Sequence, residues 1–301
     1  MGLGRLLNKY LLSISDLQII RSTQLATLRQ RVKALKKSVE AANRDVARFE
    51  EAYRKDKEDE AKFDSPSMLA VEAIDGFEVA YRKGTKDEEV LEHSFSNDIF
   101  YSGLPEYHPA EDDVIIDIGS HIGTFSLLSS SKVGRGKVYS VEACQDTFNV
   151  LRINVALNGL SNVSTHHLAI TDKESPVKLY HDTGNWGHSV TMAYSALSET
   201  VESTTLSRFL QRNHIESCQF MKLNCEGAEF PILLSTSPKV LGRFGTILVL
   251  YHCDLWAANT ECDLLSHLQS AGFKCVIRNQ DEHRGWIIAT NTSSARKDPY
   301  K

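Results

Sequence analysis

The chain has 301 residues, 42% of them hydrophobic and 24% charged, with a formal net charge of −5. That balance is ordinary for a globular protein, and no apolar run approaches the ~20 residues that span a bilayer. Asp16 interrupts the N-terminal apolar stretch and no small-residue cleavage site follows, which argues against a secretory leader. The six cysteines include no C-x-x-C pair, so reduced thiols in a cytoplasmic protein are expected, with no metal site and no disulfide framework.

Residues 1–62 are helical in pattern and contain no proline. From Leu25 a heptad can be counted. Leu25, Val32, Val39, Val46 and Tyr53 share one core position, and Leu28, Leu35, Ala42 and Phe49 share the other. Strict 3.5-residue periodicity turns one narrow stripe toward a partner helix, and valine opposite leucine-type residues favours two parallel strands. A coiled-coil homodimer through residues 25–53 is therefore expected. The alternative, a lone amphipathic helix on the following domain, would show a wider apolar face. The segment is also basic: residues 1–48 hold ten Lys or Arg against three Asp or Glu. Such a segment suits an anionic membrane surface or polyanion, but a solvated helix face is the preferred reading.

The charged tract Arg54–Glu60 and the break at Asp64-Ser65-Pro66 end the helix. Met68–Glu72 and Gly76–Arg82 then read as two short strands turning at Asp75-Gly76. The expected organisation is a helical segment over 1–62, a lead-in over 63–111 and a main domain over 112–301. Within the main domain the pattern predicts strands at 114–118, 137–142, 162–168, 218–224, 245–251, 272–278 and 285–290. Helices are predicted at 123–131, 146–158, 203–212, 228–234 and 260–270. The short polar link 279–284 suits an antiparallel hairpin. The expected fold is α/β, a doubly wound seven-stranded sheet closed by that hairpin.

The most telling stretch is Val114 to Phe125, V-I-I-D-I-G-S-H-I-G-T-F: a buried strand, a glycine turn and the start of a helix. In an open α/β sheet this turn is where an adenosine-containing cofactor sits. Its D-x-G-x-x-x-G spacing differs from the dinucleotide G-x-G-x-x-G, and an acid lining the turn would repel a pyrophosphate. Glu142 ends the second strand, at the distance where an acid accepts both ribose hydroxyls. S-adenosylmethionine, whose sulfonium and amino groups tolerate an acid, fits this pattern. A nicotinamide oxidoreductase does not. The acidic main domain, without the Asn/Asp-Pro-Pro-Tyr type of pocket, also argues against nucleic-acid methylation.

Residues 112–291 resemble the FkbM-type methyltransferases, S-adenosylmethionine-dependent enzymes of the class I, Rossmann-like fold. The resemblance is carried by D-I-G-S-H-I-G-T-F-S at 117–126, V-E-A at 141–143, L-R-I-N-V-A-L-N at 151–158 and H-L-A-I-T-D at 167–172. It continues through G-N-W-G-H-S-V at 184–190, V-E-S-T-T-L at 201–206, M-K-L-N-C-E-G-A-E at 221–229 and A-G-F at 271–273. It implies O-methyl transfer to a hydroxyl of a sugar or related metabolite. It also places cofactor contacts at Asp117, Gly119, His121, Gly123, Glu142 and Ala169. Four positions depart from the family: His121 for Asn, Ala143 for Pro, Asn224 for Asp, and Tyr251-His252 where Glu-x-His is common.

Candidate catalytic groups at the strand ends are Glu226, Glu229 and His252, with His188 as a further base. Lys222 either touches substrate or pairs with an acid, and Glu226 and Glu229 also suit a helix N-terminus. Asn185, Trp186 and Ser189 lie in a glycine-rich loop, where Trp186 either stacks on a sugar or anchors the loop. A second reading stays open: a catalytically silent methyltransferase fold whose coiled coil is its working part.

Overall fold

The computed structural model of the protein describes residues 68–96, 100–182, 187–193 and 196–293. The expected coiled coil lies outside the described residues, as do Asn185 and Trp186.

Strands β1 (Leu69–Ile74) and β2 (Phe77–Arg82) form an antiparallel hairpin. Its two turn residues, Asp75 and Gly76, both have positive φ (+50° and +85°), as a right-twisted two-residue hairpin requires. Helix α1 (Asp87–Leu91) runs into a wide helical turn over Glu92–Ser96. The main sheet then begins: β3 (Val114–Ile118), α2 (Thr124–Lys132), β4 (Lys137–Glu142), α3 (Gln145–Leu157) and β5 (Val163–His167). Four short strands follow, β6 (Ala169–Thr171), β7 (Val177–Tyr180), β8 (Ser198–Val201) and β9 (Ser203–Thr205). The chain continues as α4 (Leu206–Arg212), β10 (Cys218–Leu223), α5 (Glu229–Ser235), α6 (Pro238–Leu241) and β11 (Phe244–His252). It closes with α7 (Glu261–Ser270), β12 (Phe273–Arg278) and β13 (Arg284–Asn291).

The seven sheet strands lie in the order β12-β13-β11-β10-β3-β4-β5. All neighbours are parallel except β13, which runs antiparallel to both β11 and β12. Chain order moves outward from β3 to β5, then crosses back to β10 on the other side of β3. The β3–β10 boundary is therefore the topological switch point, where open α/β sheets bind ligands beyond the strand C-termini. The predicted strands and terminal hairpin all appear here, because buried parallel strands read as near-continuous apolar runs. The expected helix at 203–212 begins later: 203–205 is β9, paired in parallel with β6, and the Thr205 hydroxyl accepts the Arg208 N–H at 3.2 Å to cap α4.

Side chains alternate across the sheet and feed two cores. Ile116, Ile118, Met221, Leu223, Ile247 and Val249 pack on one face with α4, α5 and α7. Ile115, Phe220, Leu248 and Ile288 pack on the other with Phe100, Leu104, Tyr107 and Phe125. The β1–β2 hairpin joins the domain through Asn154 of α3 and Asn158 just after it. Asn154, fully buried, accepts the Ala80 N–H at 2.6 Å and donates to Ala80 O and Ile122 O, at 3.0 and 2.7 Å. Asn158 exchanges the same pair of bonds with Glu78. The two side-chain amides thus pair with backbone groups of β2.

Candidate active site

The turn after β3 is fixed by its contacts with β4 and β10. The N–H groups of Gly119 and Ser120 both donate to Val141 O at 3.0 Å, and the Asn224 N–H donates to Ile118 O at 3.0 Å. Gly119 has φ +74°, and a Cβ there would stand 1.8 Å from Asn224 O. Gly123 has φ +90°, and its Cβ would meet Leu151 Cδ1 at 2.4 Å. Both glycines are therefore demanded by the protein's own packing, at the β3–β10 boundary and the α2–α3 contact respectively.

Asp117 and Lys222 lie side by side across the β3–β10 register. The Lys222 ammonium donates to Asp117 Oδ1 at 2.8 Å and to Gly119 O at 3.2 Å, over the rings of Phe100 and Phe125. Ser126 donates to Asp117 Oδ2 at 2.8 Å. Both charges are almost wholly buried, and neither residue lines the cavity described below. The acid of the turn thus spends its charge inside the protein, which removes the premise that it would repel a pyrophosphate.

The cavity opens at the C-terminal ends of β3, β4 and β10, with about 620 Å³ of space including that open to solvent. Gly119, His121, Glu142, Ala169, Asn224 and Glu226 line it, together with an apolar wall that includes Ala143, Leu179 and Val190. Glu142 ends β4 with its carboxylate held by the backbone. Oε2 accepts the His121 N–H and Oε1 the Cys144 N–H, each at 2.9 Å. Each oxygen keeps room for a second donor. His121 adopts φ +54°, and its Nε2 lies 3.4 Å from Asp87 Oδ1. Asp87 is in turn clamped by Arg82, with bonds of 2.8 and 2.9 Å to its two oxygens. This support for His121 was not legible along the chain, because Arg82 and Asp87 come from the lead-in hairpin and α1.

On the far side of Asn224 the chain turns through Glu226 (φ +49°) and Gly227 (φ +98°) before α5 begins. A glutamate in the left-handed region is strained, and such strain concentrates at functional sites. Three bonds hold it. The Ser189 hydroxyl donates to Glu226 O at 2.7 Å, the Thr191 hydroxyl lies 3.2 Å from the same oxygen, and Glu229 Oε2 accepts the Gly227 N–H at 2.9 Å. Glu229 Oε1 accepts the Cys225 N–H and faces His252 Nδ1 at 3.2 Å. The other imidazole nitrogen, Nε2, stands 3.6 Å from Glu226 Oε1. The site is a buried Glu–His–Glu array in which only Glu226 reaches the cavity.

Burial pushes the Glu226 carboxyl above the usual range, against the pull of His252. Burial alone would lower His252, but the neighbouring Glu229, and then Glu226, outweigh it and hold the imidazole above its ordinary value. The array is therefore a protonated or readily protonated imidazole between two acids. His188 is different. Burial, aided by His181, drives it down to about 3, and its Nδ1 already accepts the Asp182 N–H at 2.9 Å. It has no lone pair to offer as a base.

Residues 117–275 match the family model of the methyltransferase FkbM domain, more than half of the chain. This chain belongs to the FkbM methyltransferase family. Methyltransferase 1 of Beauveria bassiana (strain ARSEF 2860) is 22% identical over 239 residues, covering 71% of this chain and 94% of that protein. The FkbM methyltransferase of Methylobacillus flagellatus KT is similar at 15% identity and a TM-score of 0.43, over 63% of this chain. The chain spans 46% of that protein's length. TYW2 of M. jannaschii, solved in complex with AdoMet, is 12% identical at a TM-score of 0.38, over 75% of this chain and 86% of that one.

The cofactor of the family is S-adenosylmethionine, and the residues of this FkbM chain fit it. The buried Asn224 Oδ1 and His188 Nε2 have no hydrogen-bond partner among the described residues, and both residues line the cavity. A polar ligand there would satisfy groups that are costly to leave bare. Of the six positions implied for the cofactor, Gly119, His121, Glu142 and Ala169 line the cavity, and Asp117 and Gly123 do not. Of the five catalytic candidates, Glu226, Glu229 and His252 come together, Lys222 stands apart with Asp117, and His188 lies on the cavity wall.

Proposed function

We propose that this FkbM methyltransferase transfers the methyl group of S-adenosylmethionine to a hydroxyl of a carbohydrate or related metabolite. The observation that carries this is the Glu226–His252–Glu229 array, whose one cavity-facing member, Glu226, is a carboxylate of raised pKa. When bound, the cofactor supplies an already activated methyl, so the protein's work is alignment and removal of a proton. A free hydroxyl ionises far above neutral pH and attacks poorly. Glu226 accepts its proton, and the raised pKa makes it the stronger base. Glu229 fixes the Nδ1–H of His252, and His252 keeps Nε2 toward Glu226 and balances the two acids. Gly187 leaves the approach to Glu226 narrow: a Cβ there would stand 3.2 Å from the carboxylate. A protonated amine would be stabilised as the unreactive ammonium between these acids, which favours a hydroxyl acceptor over nitrogen.

The heptad of residues 25–53 supports a homodimer, and the free thiols support a cytoplasmic site of action. Among the described residues no helix is long and apolar enough to cross a membrane. One observation favours the silent reading: the cavity meets the amide of Asn224 where the family usually places an acid.

Calorimetry with S-adenosylmethionine and S-adenosylhomocysteine, followed by methyl transfer to a panel of glycans and polyols, tests the proposal. Glu226→Gln should bind S-adenosylhomocysteine like the native protein and lose about 10²–10⁴ in turnover. Binding without transfer to any hydroxylated acceptor would favour the silent fold.

A further inference from the structure

The β7–β8 insertion contributes an apolar part of the cavity wall. There Leu179 and Val190 pack with Ala143 and Ala169 into an apolar slot. A slot of that make-up suits the faces of a flat aromatic base. His188 lines the same cavity. Its Nδ1 accepts the Asp182 N–H at 2.9 Å. An occupied Nδ1 lone pair puts the imidazole proton on Nε2. Nε2 is shielded from solvent and meets no partner among the described residues. A buried donor without an acceptor is rarely left so in a folded protein.

We infer that His188 is a specificity residue for the base of the cofactor, donating its Nε2–H to a ring nitrogen of adenine. The inference rests on the S-adenosylmethionine reading above. Of the cofactor's parts, adenine alone offers neutral lone-pair nitrogens. The ribose hydroxyls have the two oxygens of Glu142, and the methionine end is charged. His188 suits a neutral acceptor, because burial holds it uncharged with a pKa of about 3. A metal site is the competing use of this corner. Donor atoms of Cys144, His181 and His188 lie within 4.8 Å of one another. A metal needs a free lone pair, and on His188 one nitrogen is engaged by Asp182 and the other carries the proton. Burial also holds the Cys144 thiol near 12, in its neutral form.

The test measures S-adenosylhomocysteine and its 1-deaza, 3-deaza and 7-deaza analogues by calorimetry on the full chain, native and His188→Phe. One analogue should bind the native protein about five- to tenfold more weakly, the worth of a neutral hydrogen bond. His188→Phe should bind the parent compound weaker by a similar factor and no longer distinguish it from that analogue. His188→Gln, which retains an N–H donor, should recover part of the discrimination and guards against a folding defect in the phenylalanine variant. In the native protein, ¹⁵N spectra should show the Nε2–H tautomer, with that proton shifting on ligand binding. Equal discrimination by native and His188→Phe proteins overturns the inference alone. No binding of S-adenosylhomocysteine by the native protein overturns the cofactor reading and this inference together. A metal titration that flips the tautomer also overturns it.

Discussion

Replacing Glu142 with alanine separates two duties of one carboxylate. The first duty is structural: Oε2 and Oε1 each accept a backbone N–H, from His121 and Cys144, at 2.9 Å. Losing them strands two donors at roughly 1–3 kcal/mol each, with the lower end apt because water can enter the cavity. At about 2–4 °C per kcal/mol for a domain of this size, the melting temperature should fall by roughly 5–10 °C. The second duty, on the proposed cofactor reading, is toward the ribose hydroxyls. Two charge-assisted hydrogen bonds at about 1.5–3 kcal/mol each amount to roughly 10²–10⁴ in affinity. Differential scanning fluorimetry reads the first duty, and calorimetry with S-adenosylhomocysteine, below the melting transition, reads the second. Glu142→Gln keeps one acceptor oxygen and should fall between alanine and native in both assays. A Glu142→Ala protein that melts early yet binds within threefold of native would refute the reasoning, leaving the carboxylate only a turn-holding part.

Two further outcomes follow from buried charge. Lys222→Met leaves Asp117 without its cation in a dry core, which should cost about 3–5 kcal/mol in urea unfolding at neutral pH. Adding Asp117→Asn should restore part of the loss; a loss under about 1 kcal/mol would sink the assignment. His252 is raised in the folded state, so its contribution is complete below its ordinary pKa of 6.5 and is lost as pH rises through the raised value. Glu226 is raised as well, so ionising it in the folded state costs stability as pH climbs from 4.5. Both act in the same direction. Native stability should fall with rising pH across this window more steeply than that of His252→Asn, in urea titrations at a series of pH values, and a flat difference would contradict the array.

Much of the sheet was legible because of how its strands are buried. Val114–Ile118 and Phe244–His252 are covered on both faces, so they read as apolar runs whatever surrounds them. The 3.6-residue pattern marked α3 and α7 to within a residue. The short strands β6 to β9 escaped notice because each is three or four residues long, and their pairing is chosen by partners elsewhere in the chain.

The sequence by itself determined the sheet, its switch-point turn, the acid ending β4 and the family, since these depend on local pattern and on spacing along the chain. Only the tertiary structure decided how the charged residues are paired. Sequence order puts Asp117 at the turn and Lys222 beside Glu226 and Glu229, yet the parallel register of β3 and β10 joins Asp117 to Lys222 and withdraws both from the cavity. His252 lies 23 residues beyond Glu229, and the end of β11 brings it between the two acids of the α5 turn. His188 shows the same dependence. As a letter in a loop it offered a base, and one backbone N–H from Asp182, fixing which nitrogen holds the proton, makes it a donor. Partner choice among charged and polar groups is a matter of distance and desolvation, and those exist only once the chain has folded.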